Sequence, residues 1–334
     1  MTIQHLRKSG SGLWGAELIT IFQNIDRRVQ MKSMTELISP KAQEAFAGFM
    51  STRVEYGVFT GRDLKAVTKG NSEFFAQFAD LRDVEIRRFS DKDVRMEDIK
   101  IPGAREDKYI FYIHGGGFVT GEPAWGYYYA VEAAKRSRRN IFSVDYRLGP
   151  EYPFPIGPED CIYGYQYLLG MGIKPENIVM LGESSGGNLI LAVCAACKER
   201  GIPMPAAICP VSPVVDLDFP FPSYTERNER ECILPKNQRD DVHMNYLPNG
   251  GADSVLASPY RADVTGFPPT YHIVATEEML FDDSIYMHEK LLRAGVDARL
   301  KVWEGMWHTF CMMDLPESRQ VIADIAAYFD EMDQ

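Results

Sequence analysis

No stretch of this 334-residue chain approaches the ~18 apolar residues that a membrane-spanning helix requires. The opening segment, MTIQHLRKSGSGLWGAELITIF, has basic residues but neither an apolar h-region nor a small-residue cleavage site. Positive charge is also in short supply. Lys and Arg number 36 against 47 Asp and Glu, for a net charge of −11. That balance, with no clustered basic face, speaks against a nucleic-acid backbone or an anionic membrane as partner. The six cysteines, Cys161, Cys194, Cys197, Cys209, Cys232 and Cys311, show no paired metal spacing. Cys194 and Cys197 form a lone C-x-x-C inside LILAVCAACKER and share one helix face, so they read as small core residues; a structural zinc would want a second pair. Neither a metal nor an organic cofactor is expected. These absences point to a reduced, soluble, cytoplasmic protein.

Core-forming material is ample: hydrophobic residues make up 45% of the chain and charged residues 25%. The first 55 residues read as helical pieces. LWGAELITIFQNIDRRVQ sets Leu13, Leu18, Ile21, Ile25 and Val29 near one face, and SPKAQEAFAGFM begins with a Ser-Pro helix start. The pattern then changes to short runs rich in Val, Ile, Phe and Tyr, at 84–90, 94–101, 108–114, 141–146, 177–182, 206–211, 270–276 and 298–304. The first two alternate and predict an antiparallel pair at a sheet edge. The later ones are nearly continuously apolar, as strands buried on both faces are. Helical stretches at about 124–139, 159–170, 185–200, 283–295 and 317–332 lie between or after the later strands, which predicts a mostly parallel eight-stranded sheet covered by helices on both faces. Residues 213–265, rich in Pro and charge, break this rhythm and read as a second contribution to a cap. The expected organisation is therefore a cap segment at 1–55, a core at 56–212 and 266–334, and a second cap segment at 213–265.

Three features carry chemistry. GESSG at 182–186 lies between a strand and a helix, which is the context of a nucleophile elbow, with Ser184 at its tip. HGGG at 114–117 follows the strand KYIFYIH. Consecutive glycines let backbone N–H groups point at a developing oxyanion, and we assign Gly115, Gly116 and the N–H of Ser185 to that role. Of six histidines, His308 alone sits in a loop just past a late strand, where the base of a Ser, acid, His chain order belongs. The acid should leave the end of TYHIVAT, where Glu277, Glu278, Asp282 and Asp283 all stand.

With these motifs in hand, the sequence resembles the hormone-sensitive-lipase-like carboxylesterases, a bacterial α/β-hydrolase family. The resemblance runs from about residue 80 to the C-terminus. It is carried by HGGGF at 114–118, YRLGPEYPFP at 146–155, GESSGGN at 182–188, ASPYRAD at 257–263 and GMWHTF at 305–310. The family's elbow usually reads GDSAGG, so Glu183 and Ser185 depart from it. Laid on EMLFDD, the family's catalytic Asp falls on Glu278, a further departure. The resemblance thus implies Ser184, Glu278 and His308 as a triad, an α/β-hydrolase fold with a helical cap, and hydrolysis of short- to medium-chain carboxylic esters through an acyl-enzyme. It also suggests a homodimer. Aromatic candidates for lining the substrate pocket are Phe118, Trp125 and Tyr127 to Tyr129, each equally suited to core packing. The expected partner is a small-molecule ester. Hydrolysis of an amide, thioester or sugar acetate by the same triad is the alternative. A non-catalytic receptor of the same fold would be expected to lack the base that His308 supplies.

Overall fold

The computed structural model describes residues 37–53 and 61–333. The helical face from Leu13 to Val29 lies outside the described residues. Eight strands form one sheet: β1 (Glu85–Asp91), β2 (Val94–Lys100), β3 (Tyr109–Ile113), β4 (Asn140–Asp145), β5 (Ile178–Glu183), β6 (Ala207–Val211), β7 (Thr270–Ala275) and β8 (Ala298–Trp303). Their spatial order is β1-β2-β4-β3-β5-β6-β7-β8. β1 pairs antiparallel with β2, and β2 with β4. All other pairings are parallel. The two alternating runs thus form the antiparallel edge that their pattern predicts, and the continuously apolar runs fill the centre, where β3, β5 and β6 are buried at every residue.

The pleat distributes these side chains between two cores. Phe111, Ile113, Phe142, Val144 and Met180 pack on one face under α4 (Ile156–Gly170) and α5 (Ser185–Arg200). Ile110, Tyr112, Ile141, Val179 and Leu181 pack on the other under α3 (Tyr127–Ser137) and α9 (Pro316–Glu331). Cys194 and Cys197 lie in the first core, and all six cysteines are buried free thiols. Helix α8 (Phe281–Arg293) sets Phe281 and Ile285 over Val274, Leu300 and Val302. Among the described residues no helix is long and apolar enough to cross a membrane.

Among the described residues, two helices precede the sheet. Helix α1 (Pro40–Thr52) starts where the Ser-Pro signal places it, with the Ser39 side chain accepting from the Ala42 N–H. Helix α2 (Leu64–Ala76) has no counterpart in the sequence pattern. It contains Gly70 and Asn71, buries no residue fully, and is capped by Asp63, which accepts from Lys65 and Ala66. Its weak propensity and half-exposed apolar residues hid it. The 213–265 segment holds two short α-helices, α6 (Ser223–Glu226) and α7 (Gln238–Asn245), and is tied to the core by the Asn188 amide, which donates to the carbonyls of Val214 and Ala257 at 2.9 Å each.

Candidate active site

Strand β5 runs into Ser184 and helix α5 leaves it. The turn between them is so tight that Ser184 takes φ 56° and ψ −120°, a conformation costly for a residue with a Cβ. Small flanking residues make it accessible. A Cβ on Gly182 would come 2.5 Å from the Gly186 carbonyl oxygen, and one on Gly186 would run into the Ile113 carbonyl. The Ser184 N–H donates to the Val211 carbonyl at 2.9 Å, anchoring the elbow to β6.

His308 lies in the loop after β8. The neighbouring turn after β7 holds that loop: the Glu277 N–H donates to the Met306 carbonyl at 2.9 Å, and the Gly305 N–H donates to Thr276 Oγ1 at 2.8 Å. His308 Nε2 is 2.9 Å from Ser184 Oγ, and His308 Nδ1 is 2.7 Å from Glu278 Oε2. The second Glu278 oxygen accepts from the Ala275 N–H at 2.7 Å and from Ser212 Oγ at 2.9 Å. Glu278 is wholly buried and His308 only 3% exposed. Burial pushes the His308 imidazolium pKa down. The hydrogen bond to Glu278, and the charges of Glu278, Glu231 and Glu183, outweigh it, so the net shift is above the ordinary histidine value.

Among the four carboxylates that the sequence leaves open, the structure brings Glu278 alone to the imidazole. Glu277 accepts from Thr276 Oγ1 and faces Arg230. Asp282 accepts from the Ser223 N–H at 2.9 Å, and Asp283 accepts from the Val215 N–H at 2.7 Å and from the Tyr224 hydroxyl. The last two therefore tie α8 to the 213–265 segment.

The glycine loop needs a correction. Gly115 N–H is not open to a ligand, because it donates to Glu183 Oε1 at 2.6 Å. The N–H groups of Gly116, Gly117 and Ser185 donate to no acceptor among the described residues. The N–H groups left open here are thus those of Gly116, Gly117 and Ser185, one residue along from the expected set, the last at the N-terminus of a 16-residue helix. His114 turns inward, with its ring 4.4 Å from that of Tyr146 and Nδ1 2.7 Å from the Gly115 carbonyl oxygen. Burial pulls its pKa down to about 4, so it is neutral.

Glu183 itself is a buried carboxylate that accepts from Gly115 N–H, the Tyr112 hydroxyl at 3.1 Å and the Tyr129 hydroxyl. Burial raises its pKa to about 7 against the opposing pull of these hydrogen bonds. Neither this role nor those of Ser212 and Glu231 was visible in the sequence. The change from the family's usual Asp to Glu183 was the one signal.

A cavity of about 320 Å³ opens over Ser184 and His308. Its walls combine the glycine loop with Phe49, Val67, Phe75, Ile233, Leu234, Trp307 and Met313. Trp125 is also among the lining residues, held by Nε1 donating to Ser72 Oγ at 2.9 Å. Phe118 and Tyr127 are not. Phe118 stacks on Tyr246 with ring centroids 4.3 Å apart, and Tyr127 donates its hydroxyl to Glu97 at 2.6 Å. Tyr128 donates to Asp314, and Tyr129 to Glu183. A hydroxyl held by a carboxylate, or a stacked core neighbour, explains each of these four placements. The lining contributed by α2 escaped the sequence reading with the helix itself.

Comparison with known proteins agrees with this geometry. A family model described as the alpha/beta hydrolase fold matches residues 110–312. The chain is 34% identical over 253 residues to an esterase of Acinetobacter venetianus, covering 75% of this chain and 83% of that one. It is 31% identical to an acetyl-hydrolase of Streptomyces hygroscopicus, covering 68% of this chain and 77% of that one. A crystal structure of an esterase from the bacterial hormone-sensitive lipase family superposes with a TM-score of 0.81 at 30% identity, covering 88% of this chain and 98% of the other. The esterase EstE5 soaked with ethyl alcohol gives 0.82 at 31% identity, with 88% and 99% covered. The chain belongs to the α/β-hydrolase family, in its hormone-sensitive-lipase-like branch of carboxylesterases.

Proposed function

We propose that this carboxylic ester hydrolase works through an acyl-enzyme on Ser184, with His308 as general base and Glu278 as the carboxylate that orients it. The observation that carries the reading is the unbroken chain Ser184 Oγ, His308 Nε2, His308 Nδ1, Glu278 Oε2, with steps of 2.9 and 2.7 Å. Glu278 accepts the Nδ1–H, which leaves Nε2 unprotonated toward Ser184. His308 takes the serine proton as Oγ attacks the ester carbonyl, then gives it to the departing alcohol. Water, deprotonated by the same Nε2, attacks the acyl-enzyme carbonyl and releases the carboxylic acid and Ser184. The tetrahedral oxyanion is received by the N–H groups of Gly116, Gly117 and Ser185, which donate to no acceptor among the described residues.

We read the N-terminal helices and the 213–265 segment as the cap. Residues of α1, α2 and that segment all reach the cavity, which supports counting α2 with the N-terminal cap segment as well as the expected residues 1–55. The preferred substrates are esters of short to medium acyl chains. The buried free thiols suit a reducing compartment such as the cytoplasm.

The test is a panel of p-nitrophenyl acyl esters run beside amide and thioester substrates, with Ser184→Ala as control. The variant should lose ~10⁴-fold or more in kcat while keeping its fold. A fluorophosphonate probe should label the wild type at Ser184 and not the variant. Turnover by folded Ser184→Ala at the wild-type rate would overturn the mechanism.

A further inference from the structure

One side chain of the 213–265 segment bridges the cavity wall and the turn that bears Glu278. Glu231 is wholly buried. Its Oε1 accepts the N–H groups of Ile233 at 2.7 Å and Leu234 at 3.1 Å, and both residues line the cavity. Its Oε2 accepts the N–H of Met279 at 3.1 Å, one residue beyond Glu278. Other ties join the same two segments. Ser223 Oγ donates to the Met279 carbonyl at 2.6 Å, and the Arg227 guanidinium donates to the Thr276 carbonyl and lies 3.8 Å over the Phe281 ring. Of these, Glu231 is the one that brings a carboxylate within electrostatic reach of His308.

Three hydrogen bonds from backbone amides favour the charged form of a carboxylate, against the cost of burying it. A neutral acid could accept at most through its carbonyl oxygen and one hydroxyl, and its own proton would then need an acceptor. Burial raises the Glu231 carboxyl above its ordinary value, and the amide set works against that shift, as suits an anion. The carboxylates whose charges act on His308 are Glu278 from the β7–α8 turn, Glu231 from the insert and Glu183 from the end of β5. The groups facing Glu231 are His308 and Glu278, while Arg53 and Glu277 act on the adjoining Cys232.

We propose that Glu231 is a positioning residue for ester hydrolysis: it fixes the Glu278 turn against the cavity wall and adds a further negative charge to those acting on the imidazolium that forms during acyl transfer. This rests on the reading of Ser184, His308 and Glu278 given above. Glu231 does not touch the ester. Its effect passes through Met279 to Glu278, and through space to His308.

The experiment compares wild type, Glu231→Gln, Glu231→Asp and Ser184→Ala on p-nitrophenyl butyrate, with full pH profiles and thermal melts. Glu231→Gln keeps the arm length and can still accept from Ile233 and Leu234, but it lacks the charge and turns an amide donor toward the Met279 N–H. Its kcat should fall about tenfold with KM within ~3-fold. The acid limb of its kcat/KM profile should move down by about half a pH unit, since a negative charge near the base is gone. Glu231→Asp keeps the charge and can still accept from Ile233 as a local turn, but it falls short of Met279. It should lose kcat while its acid limb stays in place. Wild-type kcat and acid limb in Glu231→Gln would overturn the inference, as would a fall in melting temperature with neither parameter moved. If Glu231→Gln does not fold, wild-type kcat in Glu231→Asp overturns it. A wild type inactive on the ester, or an active Ser184→Ala, would instead sink the underlying triad reading, and the two failures are told apart in one experiment.

Discussion

Glu278 Oε2 meets His308 Nδ1 at 2.7 Å, the reach of a normal charge-assisted hydrogen bond, although this position carries the longer of the two acidic side chains. The extra methylene is absorbed by curling the arm back over its own strand end. Oε1 accepts from the Ala275 N–H, three residues earlier, and from Ser212 Oγ after β6. Both carboxylate oxygens are thus fixed, and the imidazole is fixed with them. Glu278→Gln keeps the size but loses the charge, and its amide can hold the wrong imidazole tautomer. It should lower kcat by ~10³-fold or more. Glu278→Asp cannot span Ala275, Ser212 and His308 at once and should also lose activity. Asp282→Asn should do far less, since Asp282 serves the Ser223 N–H. Steady-state kinetics on the three variants checks this. A crippled Asp282→Asn beside an active Glu278→Gln would move the acid by one helical turn.

The pH profile follows from the charges around His308. The base must be neutral to act, and its pKa is held above the ordinary histidine value once burial is outweighed by Glu278, Glu231 and Glu183. The acid limb of kcat/KM should therefore lie above the ~6.5 of a free histidine. The same shift has a stability sign. A folded-state pKa above the unfolded one stabilises the protein below the unfolded pKa, and that contribution is lost as pH rises through the folded pKa. Activity and this part of the stability thus run in opposite directions near neutrality. An acid limb below pH 6.5, with the chemical step rate-limiting, would contradict the assignment.

Glu183 should matter for stability as well as for the loop. It is the shared acceptor for Gly115 N–H and two buried tyrosine hydroxyls. Glu183→Ala would strand three buried donors, each costing ~1–3 kcal/mol when unpaired. The expected loss is about 3 kcal/mol or more by urea denaturation, together with reduced turnover as the Gly115 turn loosens. A variant with wild-type stability and kcat would show that the loop is held by other contacts.

The elements and chemistry that depend on local pattern could be read directly from the chain. The eight apolar runs became eight strands because period and continuity report burial on one face or two. Ser184 and His308 stood out because a tight turn and a loop position leave marks in the adjoining residues. What the sequence hid was long-range pairing. Nothing near Gly115 announces that Glu183, 68 residues away, takes its N–H and so closes it to a ligand. Nor does anything in the Pro- and charge-rich insert single out Glu231 from its many acidic neighbours, since its partners at Met279 arrive only with the fold. Phe118 and Tyr127 misled for a related reason: an aromatic near a motif in sequence can point to the opposite side of the backbone, and stacking on Tyr246 or bonding to Glu97 decides where it goes. Helix α2 was missed because its apolar residues Val67, Phe74 and Phe75 line the cavity and none is fully buried.

Acyl-chain preference should follow the size of the cavity. About 320 Å³ lies over Ser184, walled by Phe75, Trp125, Ile233, Leu234 and Met313. Each methylene buried against such walls contributes ~0.8 kcal/mol, roughly a fourfold gain in kcat/KM, for as long as there is room. Beyond that, the chain must displace packed aromatic rings or leave its end in water, and the gain stops. The optimum should therefore fall between about two and eight acyl carbons, within the range of a small-ligand pocket. Trp125→Ala should move it toward longer chains, because removing the indole opens the cavity where the ring now stands. Its Nε1 bond to Ser72 Oγ shows that the ring is held in place and cannot simply swing aside. Kinetics on p-nitrophenyl esters from acetate to palmitate checks both statements. A wild-type optimum at palmitate would contradict the first, and an unmoved optimum in a folded Trp125→Ala would contradict the second.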